Sequence, residues 1–275
     1  MKDYQVMGVL NVTPDSFSDG GKFIDLDAAM QQVDAMVQAD VDWVDVGGES
    51  TRPGAQPVTT EAEMQRVIPV IQAIKQRHPN LNISIDSSKP EVMEAAVMAG
   101  ASMINDVNAL QADGAIEVAV KHDVKVCLMH KQGSPQTMQD DPAYDDVVQQ
   151  VLDFFEQRVE DCLAHGMDAD AIILDPGIGF GKTLAHNIQL IQNTATFKQM
   201  GFPLLLGVSR KSMFGELLGR PVDQRLAGSL AVAQFAYLQG ADYFRVHDVA
   251  ATVDVLKTSE ALIGGGLTAG AMTDE

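Results

Sequence analysis

Short apolar runs alternate with longer amphipathic stretches along the whole chain. The runs, at 6–12, 43–46, 83–86, 102–107, 124–129, 171–175, 203–208 and 243–246, are rich in Val, Ile and Leu. Most lack polar alternation, the pattern of strands covered on both faces. The intervening stretches carry apolar residues at helical spacing; within 26–39 these are Leu26, Ala29, Met30, Val33, Met36 and Val37. Similar stretches at 61–76, 90–99, 115–122, 144–165, 184–200, 224–238 and 250–263 complete a set of eight. Eight strand–helix units predict an α/β fold, a parallel (β/α)8 TIM barrel, with residues 1–275 as a single domain. An open doubly wound sheet has the same local pattern, and periodicity alone does not exclude it. The Gly-rich end, 264–275, reads as a frayed tail.

Nearly every apolar run ends in a polar residue: Asn11, Asp45, Asp86, Asn105 with Asp106, His130, Asp175, Ser209 with Lys211, and Arg245 with His247. In a β/α barrel the C-terminal strand ends surround one mouth, where catalytic groups gather. A single Asp after a strand more often caps a helix or opens a turn. Asp86, Asn105 and Asp175 instead end apolar runs, and the repetition around all eight runs points to a functional rim. Arg245 and His247 lie two apart on one strand and so share a face.

Composition narrows the function classes. Hydrophobic residues make up 46% and charged residues 21% of 275, which suits one globular domain with a sizeable core. A formal net charge of −19 opposes nucleic-acid binding and docking on an anionic membrane. An anionic ligand would therefore need a local basic pocket set against the global field. Cys127 and Cys162 form no Cys-x-x-Cys pair and read as small buried residues without a disulfide. The start of the chain is too short and too polar for a secretory apolar region, and no stretch reaches the ~18 apolar residues of a membrane helix. The expected location is the cytoplasm. The stretch Pro176-Gly177-Ile178-Gly179-Phe180-Gly181-Lys182-Thr183 nearly spells a P-loop, but Pro176 takes the place of its first glycine. Proline lacks the N–H and the φ freedom such a loop needs, so nucleotide hydrolysis is not expected.

Two long motifs carry a family resemblance. Asn11-Val12-Thr13-Pro14-Asp15-Ser16-Phe17-Ser18-Asp19-Gly20-Gly21 and Asp45-Val46-Gly47-Gly48-Glu49-Ser50-Thr51-Arg52-Pro53-Gly54 resemble the first two signatures of the dihydropteroate synthases. Further matches follow in order: Ser84-Ile85-Asp86-Ser87, Ile104-Asn105-Asp106, Met129-His130-Lys131-Gln132-Gly133-Ser134-Pro135, Leu174-Asp175-Pro176-Gly177 through Lys182, Gly207-Val208-Ser209-Arg210-Lys211-Ser212, and Arg245-Val246-His247-Asp248. Two departures are Lys131, where an apolar residue is expected, and Asp40, where a small residue is expected at a helix end.

The resemblance implies condensation of 6-hydroxymethyl-7,8-dihydropterin diphosphate with p-aminobenzoate, in a sulfonamide-target enzyme of folate biosynthesis. It implies that Asp86, Asn105, Asp175 and Lys211 hold the pterin. Asn11, Thr51, Arg245 and His247 would meet the diphosphate. Phe17, Thr51, Arg52, Pro53, Phe180, Lys211 and Ser212 would surround p-aminobenzoate. Lys211, Arg245, His247 and Asp86 are then the catalytic candidates, Asn11 the single protein ligand of a Mg²⁺ ion, and a homodimer the expected assembly. Segments 13–23 and 50–58 read as lids ordered by substrate. A methyltetrahydrofolate methyltransferase-like enzyme would share Asp86, Asn105 and Asp175, but not the Phe17, Arg52, Lys211, Arg245 and His247 motifs. A catalytically silent pterin-binding paralogue is expected to have lost a lid motif or the Arg245–His247 pair, and this chain keeps both.

Overall fold

The computed structural model describes residues 2–13, 26–50, 57–133, 138 and 142–263. Its frame is eight parallel strands: β1 (Gln5–Asn11), β2 (Trp43–Gly47), β3 (Asn82–Asp86), β4 (Met103–Asp106), β5 (Lys125–Met129), β6 (Ile172–Asp175), β7 (Leu205–Leu206) and β8 (Tyr243–Val246). They pair in the order β6-β5-β4-β3-β2-β1-β8-β7. A parallel bridge between Leu174 and Leu204 joins the two ends, with Leu174 N–H donating to the Pro203 carbonyl at 2.9 Å. The sheet is therefore a barrel, and the open-sheet alternative falls. Around it run α1 (Leu26–Gln38), α2 (Thr60–Arg77), α3 (Pro90–Ala99), α4 (Ala115–His122), α5 (Val147–Ala164), α6 (Leu184–Gln192), α7 (Thr194–Lys198), α8 (Met213–Leu218), α9 (Leu226–Leu238) and α10 (Val249–Ile263).

Local chemistry sets the helix limits. Thr59 caps α2 by accepting from the Ala62 N–H, and Asp146 caps α5 by accepting from Val148 and Gln149. That cap starts α5 at Val147, three residues later than the periodicity suggests. The expected helix over 184–200 breaks at Asn193 into α6 and α7. Asn193 Nδ2 donates to the Gln189 carbonyl at 2.8 Å, a side-chain bond that competes with continued helix. The run at 203–208 yields only two strand residues, and α8, six residues long, was not predicted because one turn and a half shows no periodicity.

The core has two compartments. The outward faces of the strands pack on the helices, while Met7, Trp43, Met103, Cys127, Ile173 and Leu205, joined by Tyr243, fill the barrel interior. Trp43 Nε1 donates to Gln5 Oε1 at 3.2 Å at the N-terminal end of this plug. Cys127 lies within the plug and Cys162 in α5, both buried free thiols, as expected. Residues 264–275 lie outside the described residues. Among the described residues, no helix is long and apolar enough to cross a membrane.

Candidate active site

The period of two along each strand decides which polar side chains share the interior with the plug. Met7 pairs with Trp43, Val9 with Asp45 and Asn11 with Gly47. Asp45 then pairs with Ser84 and Gly47 with Asp86, Asp86 with Asn105, Asn105 with Cys127, and Met7 with Arg245. Met129, two residues above Cys127, pairs with Asp175. Asn11, Asp45, Asp86, Asn105, Asp175 and Arg245 therefore stand on the interior face, above an apolar floor. Asp86, Asn105 and Asp175 are 8%, 5% and 5% exposed, so each is a buried group that demands a partner.

Arg245 ties this layer together. Its Nε donates to Asp45 Oδ2 and its Nη2 to Asp86 Oδ2, each at 2.6 Å, and Asn105 Nδ2 donates to the same Asp45 oxygen at 3.1 Å. Burial lifts the Asp86 carboxyl above the usual carboxylate range; Arg245 opposes the shift, while Asp45, Glu63 and Asp106 add to it. Burial likewise raises Asp175, against the Gly177 N–H that its Oδ1 accepts at 2.8 Å and the cation of Lys211. Glycine keeps space beside both carboxylates. A Cβ at Gly47 would stand 3.5 Å from Asp86 Oδ2 and 3.8 Å from Asn11 Oδ1, and one at Gly207 would stand 4.0 Å from Asp175 Oδ2.

Lys211 and His247 stand at the rim. Lys211 Nζ lies 4.4 Å from the Phe180 ring centroid, a cation–π contact. Burial pulls its pKa down to about 8, with Asp175 opposing. His247 is exposed, and its backbone N–H donates to Ser209 Oγ at 3.1 Å. The same hydroxyl lies 3.1 Å from His247 Nδ1, so Ser209 orients the imidazole ring. Desolvation of the ring, with Arg245 and Arg210 nearby, holds its pKa well below the ordinary value. With that shift His247 adds no positive charge to the site at pH 7. Ser212 is exposed immediately before α8 and makes no side-chain capping bond.

The near P-loop has a different job. Lys182 is 3% exposed, and its Nζ donates to the carbonyls of His130, Gly177 and Phe180 at 3.3, 3.0 and 2.9 Å. It also lies 3.0 Å from His130 Nδ1. A lysine spent on backbone carbonyls offers nothing to a nucleotide phosphate; it joins the loops after β5 and β6. Gly177 has φ +67, and a Cβ there would meet the His130 carbonyl at 1.9 Å, so this turn admits only glycine.

Sequence reasoning noted Asp45, His130 and Lys182 without giving them work. For Asp45 the signal was parity: it sits two residues before Gly47, the register partner of Asp86. Lys131 is half-buried rather than apolar, and burial lowers its pKa. Phe17, Thr51, Arg52 and Pro53, with most of both expected lids, lie outside the described residues. Among the described residues, no group of three His, Cys, Asp or Glu could cage a metal. The single amide oxygen of Asn11, beside the space at Gly47, fits a Mg²⁺ ion that keeps waters and substrate phosphates as its other ligands.

A closed parallel barrel with buried carboxylates, an arginine and a lysine gathered at the C-terminal strand ends has the layout of a barrel enzyme, and residues 7–247 match the pterin binding enzymes. The chain is 51% identical to the dihydropteroate synthase of Haemophilus influenzae, covering 94% of this chain and 93% of that one. It is 49% identical to that of Escherichia coli, covering 94% and 91%. Among solved structures, dihydropteroate synthase from Yersinia pestis, in a sulfonamide drug complex, superposes with a TM-score of 0.90 at 48% identity, over 95% of this chain and 94% of that one. The Xanthomonas albilineans dihydropteroate synthase with 4-aminobenzoic acid gives 0.89 at 46% identity, over 94% and 93%. The chain belongs to the dihydropteroate synthase family of pterin binding enzymes.

Proposed function

We propose that this chain joins p-aminobenzoate to 6-hydroxymethyl-7,8-dihydropterin diphosphate, releasing diphosphate and 7,8-dihydropteroate. The observation that carries the reading is the buried acceptor set Asp86, Asn105 and Asp175 on the barrel's interior face, with Lys211 close enough to act on Asp175. A pterin presents a guanidine-like edge of donors and a carbonyl acceptor. The Asp175 and Asp86 carboxylates suit the donors, Asn105 can both give and accept, and Lys211 donates to the carbonyl.

In the reaction the aromatic amine nitrogen forms a bond to the pterin methylene carbon. The bond from that carbon to the diphosphate oxygen breaks, and the nitrogen gives up one proton to the departing diphosphate or to water. An aryl amine is neutral at pH 7, so no strong base is required; positioning and stabilisation of the departing anion do the work. His247 and Arg245, with Thr51, are assigned to the diphosphate. Asn11 would hold Mg²⁺, which when bound neutralises diphosphate charge. Phe17, Thr51, Arg52, Pro53, Phe180, Lys211 and Ser212 are assigned to the p-aminobenzoate pocket, where a sulfonamide would compete.

Exposed Leu217, Leu218 and Val222, with Leu226, Phe235 and Leu238 on α9, are the apolar surface residues that support a homodimer. Buried free thiols agree with a cytoplasmic location. The test is a reaction of the purified chain with the pterin diphosphate, p-aminobenzoate and Mg²⁺. Dihydropteroate and diphosphate should appear in equal amounts; a folded protein that makes neither contradicts the proposal.

A further inference from the structure

We infer that Asp45 is a positioning residue, which holds Arg245 and Asn105 in place so that Asp86 is left able to turn from guanidinium to substrate. The inference rests on the condensation proposed above. Its basis is a difference in depth between two carboxylates on one arginine. Asp45 sits two residues below Gly47, the register partner of Asp86, and its side chain is 0% exposed. No ligand entering the mouth can reach it. Asp86 stands one layer higher, and its side chain retains 10% exposure.

The bonds divide accordingly. Asp45 Oδ2 takes the Arg245 Nε–H, the guanidinium donor nearest the stem, and also the Asn105 amide. Asp86 takes only a terminal Nη2. Holding Nε fixes the plane and direction of a guanidinium, because Nε lies next to the last rotatable bond of the stem. A terminal contact can be exchanged while the plane stays put. A second carboxylate that substrate cannot reach therefore keeps the cation oriented and compensated in a buried site. It fixes the Asn105 amide by the same oxygen, so one buried group orients a cation of the leaving-group site and an amide of the heterocycle site. Without Asp45, Arg245 would fall wholly to Asp86, and heterocycle binding would have to break that pair.

Asp45→Asn tests this, since it keeps shape and an acceptor but removes the charge. Three quantities are compared with the parent: KM for each substrate, kcat, and the Kd of 6-hydroxymethylpterin, a probe without diphosphate. KM for the pterin substrate and the probe Kd should rise about tenfold or more, while KM for p-aminobenzoate stays within about twofold. An equal loss for both substrates, or a lower melting temperature with unchanged probe affinity, would overturn the assignment. If the variant does not fold, the arginine side-chain NMR signals of the parent decide. On adding 6-hydroxymethylpterin, the Arg245 Nε–H should stay protected and unshifted while the Nη signals move; an Nε–H that moves as far as Nη defeats the inference. Failure of the parent to make dihydropteroate would instead defeat the proposed function, so the two failures are distinct.

Discussion

Lys211 meets Phe180 through its cation and Asp175 through charge, so it stands between the proposed p-aminobenzoate and pterin pockets. Its loss should therefore damage both. Lys211→Ala is expected to lower kcat/KM for the pterin substrate by about 10²–10³, equivalent to roughly 2.7–4 kcal/mol, and to raise KM for p-aminobenzoate as well. Steady-state kinetics with each substrate varied will check it. The same residue sets a pH limit. Its pKa is drawn down to about 8, so the donating ammonium is complete below that value and lost as pH rises through it. kcat/KM for the pterin substrate should fall on the alkaline side of about pH 8, and a flat profile to pH 9.5 would remove Lys211 from that role.

At the scale of elements, one helix end explains a departure noted in the sequence. Asp40 follows α1 with φ +63, a left-handed turn where a small residue, best glycine, is expected. Its carboxylate reaches Lys257 Nζ at 3.0 Å, but both side chains are more than half exposed, so the pair is weak compensation. Asp40→Gly should raise stability by about 0.5–1 kcal/mol, readable in a urea melt. The strands were legible as apolar runs because burial on both faces leaves no polar alternation to confuse them. Inward and outward sides were also legible from parity, which is why Asp86, Asn105, Asp175 and Arg245 fall together. Depth was not. Asp45 and Asp86 look alike in sequence, and only the stagger of β2 on β3 places one a layer beneath the other. The role of Lys182 was hidden for a related reason: its partners are backbone carbonyls from two loops, and carbonyls leave no mark in a sequence.

Across the whole molecule, a chain of net charge −19 concentrates Lys211 and Arg245 at the one mouth where anions must bind. The acidic surface opposes anionic substrates at long range, and on the proposed function these cations and a Mg²⁺ ion would have to prevail at short range. Divalent metal should thus be required: activity should vanish in excess EDTA and return with added Mg²⁺, whereas full turnover in EDTA would remove Asn11 from its assigned place. On the proposed function, the interior-facing polar layer above the plug holds the pterin. A crystal structure of the chain with 6-hydroxymethylpterin and p-aminobenzoate tests this most directly. The heterocycle edge should lie within hydrogen-bonding distance of Asp175 and Asn105, with Lys211 between the two ligands. A pterin seated elsewhere, out of reach of Asp175 and Asn105, would contradict this placement.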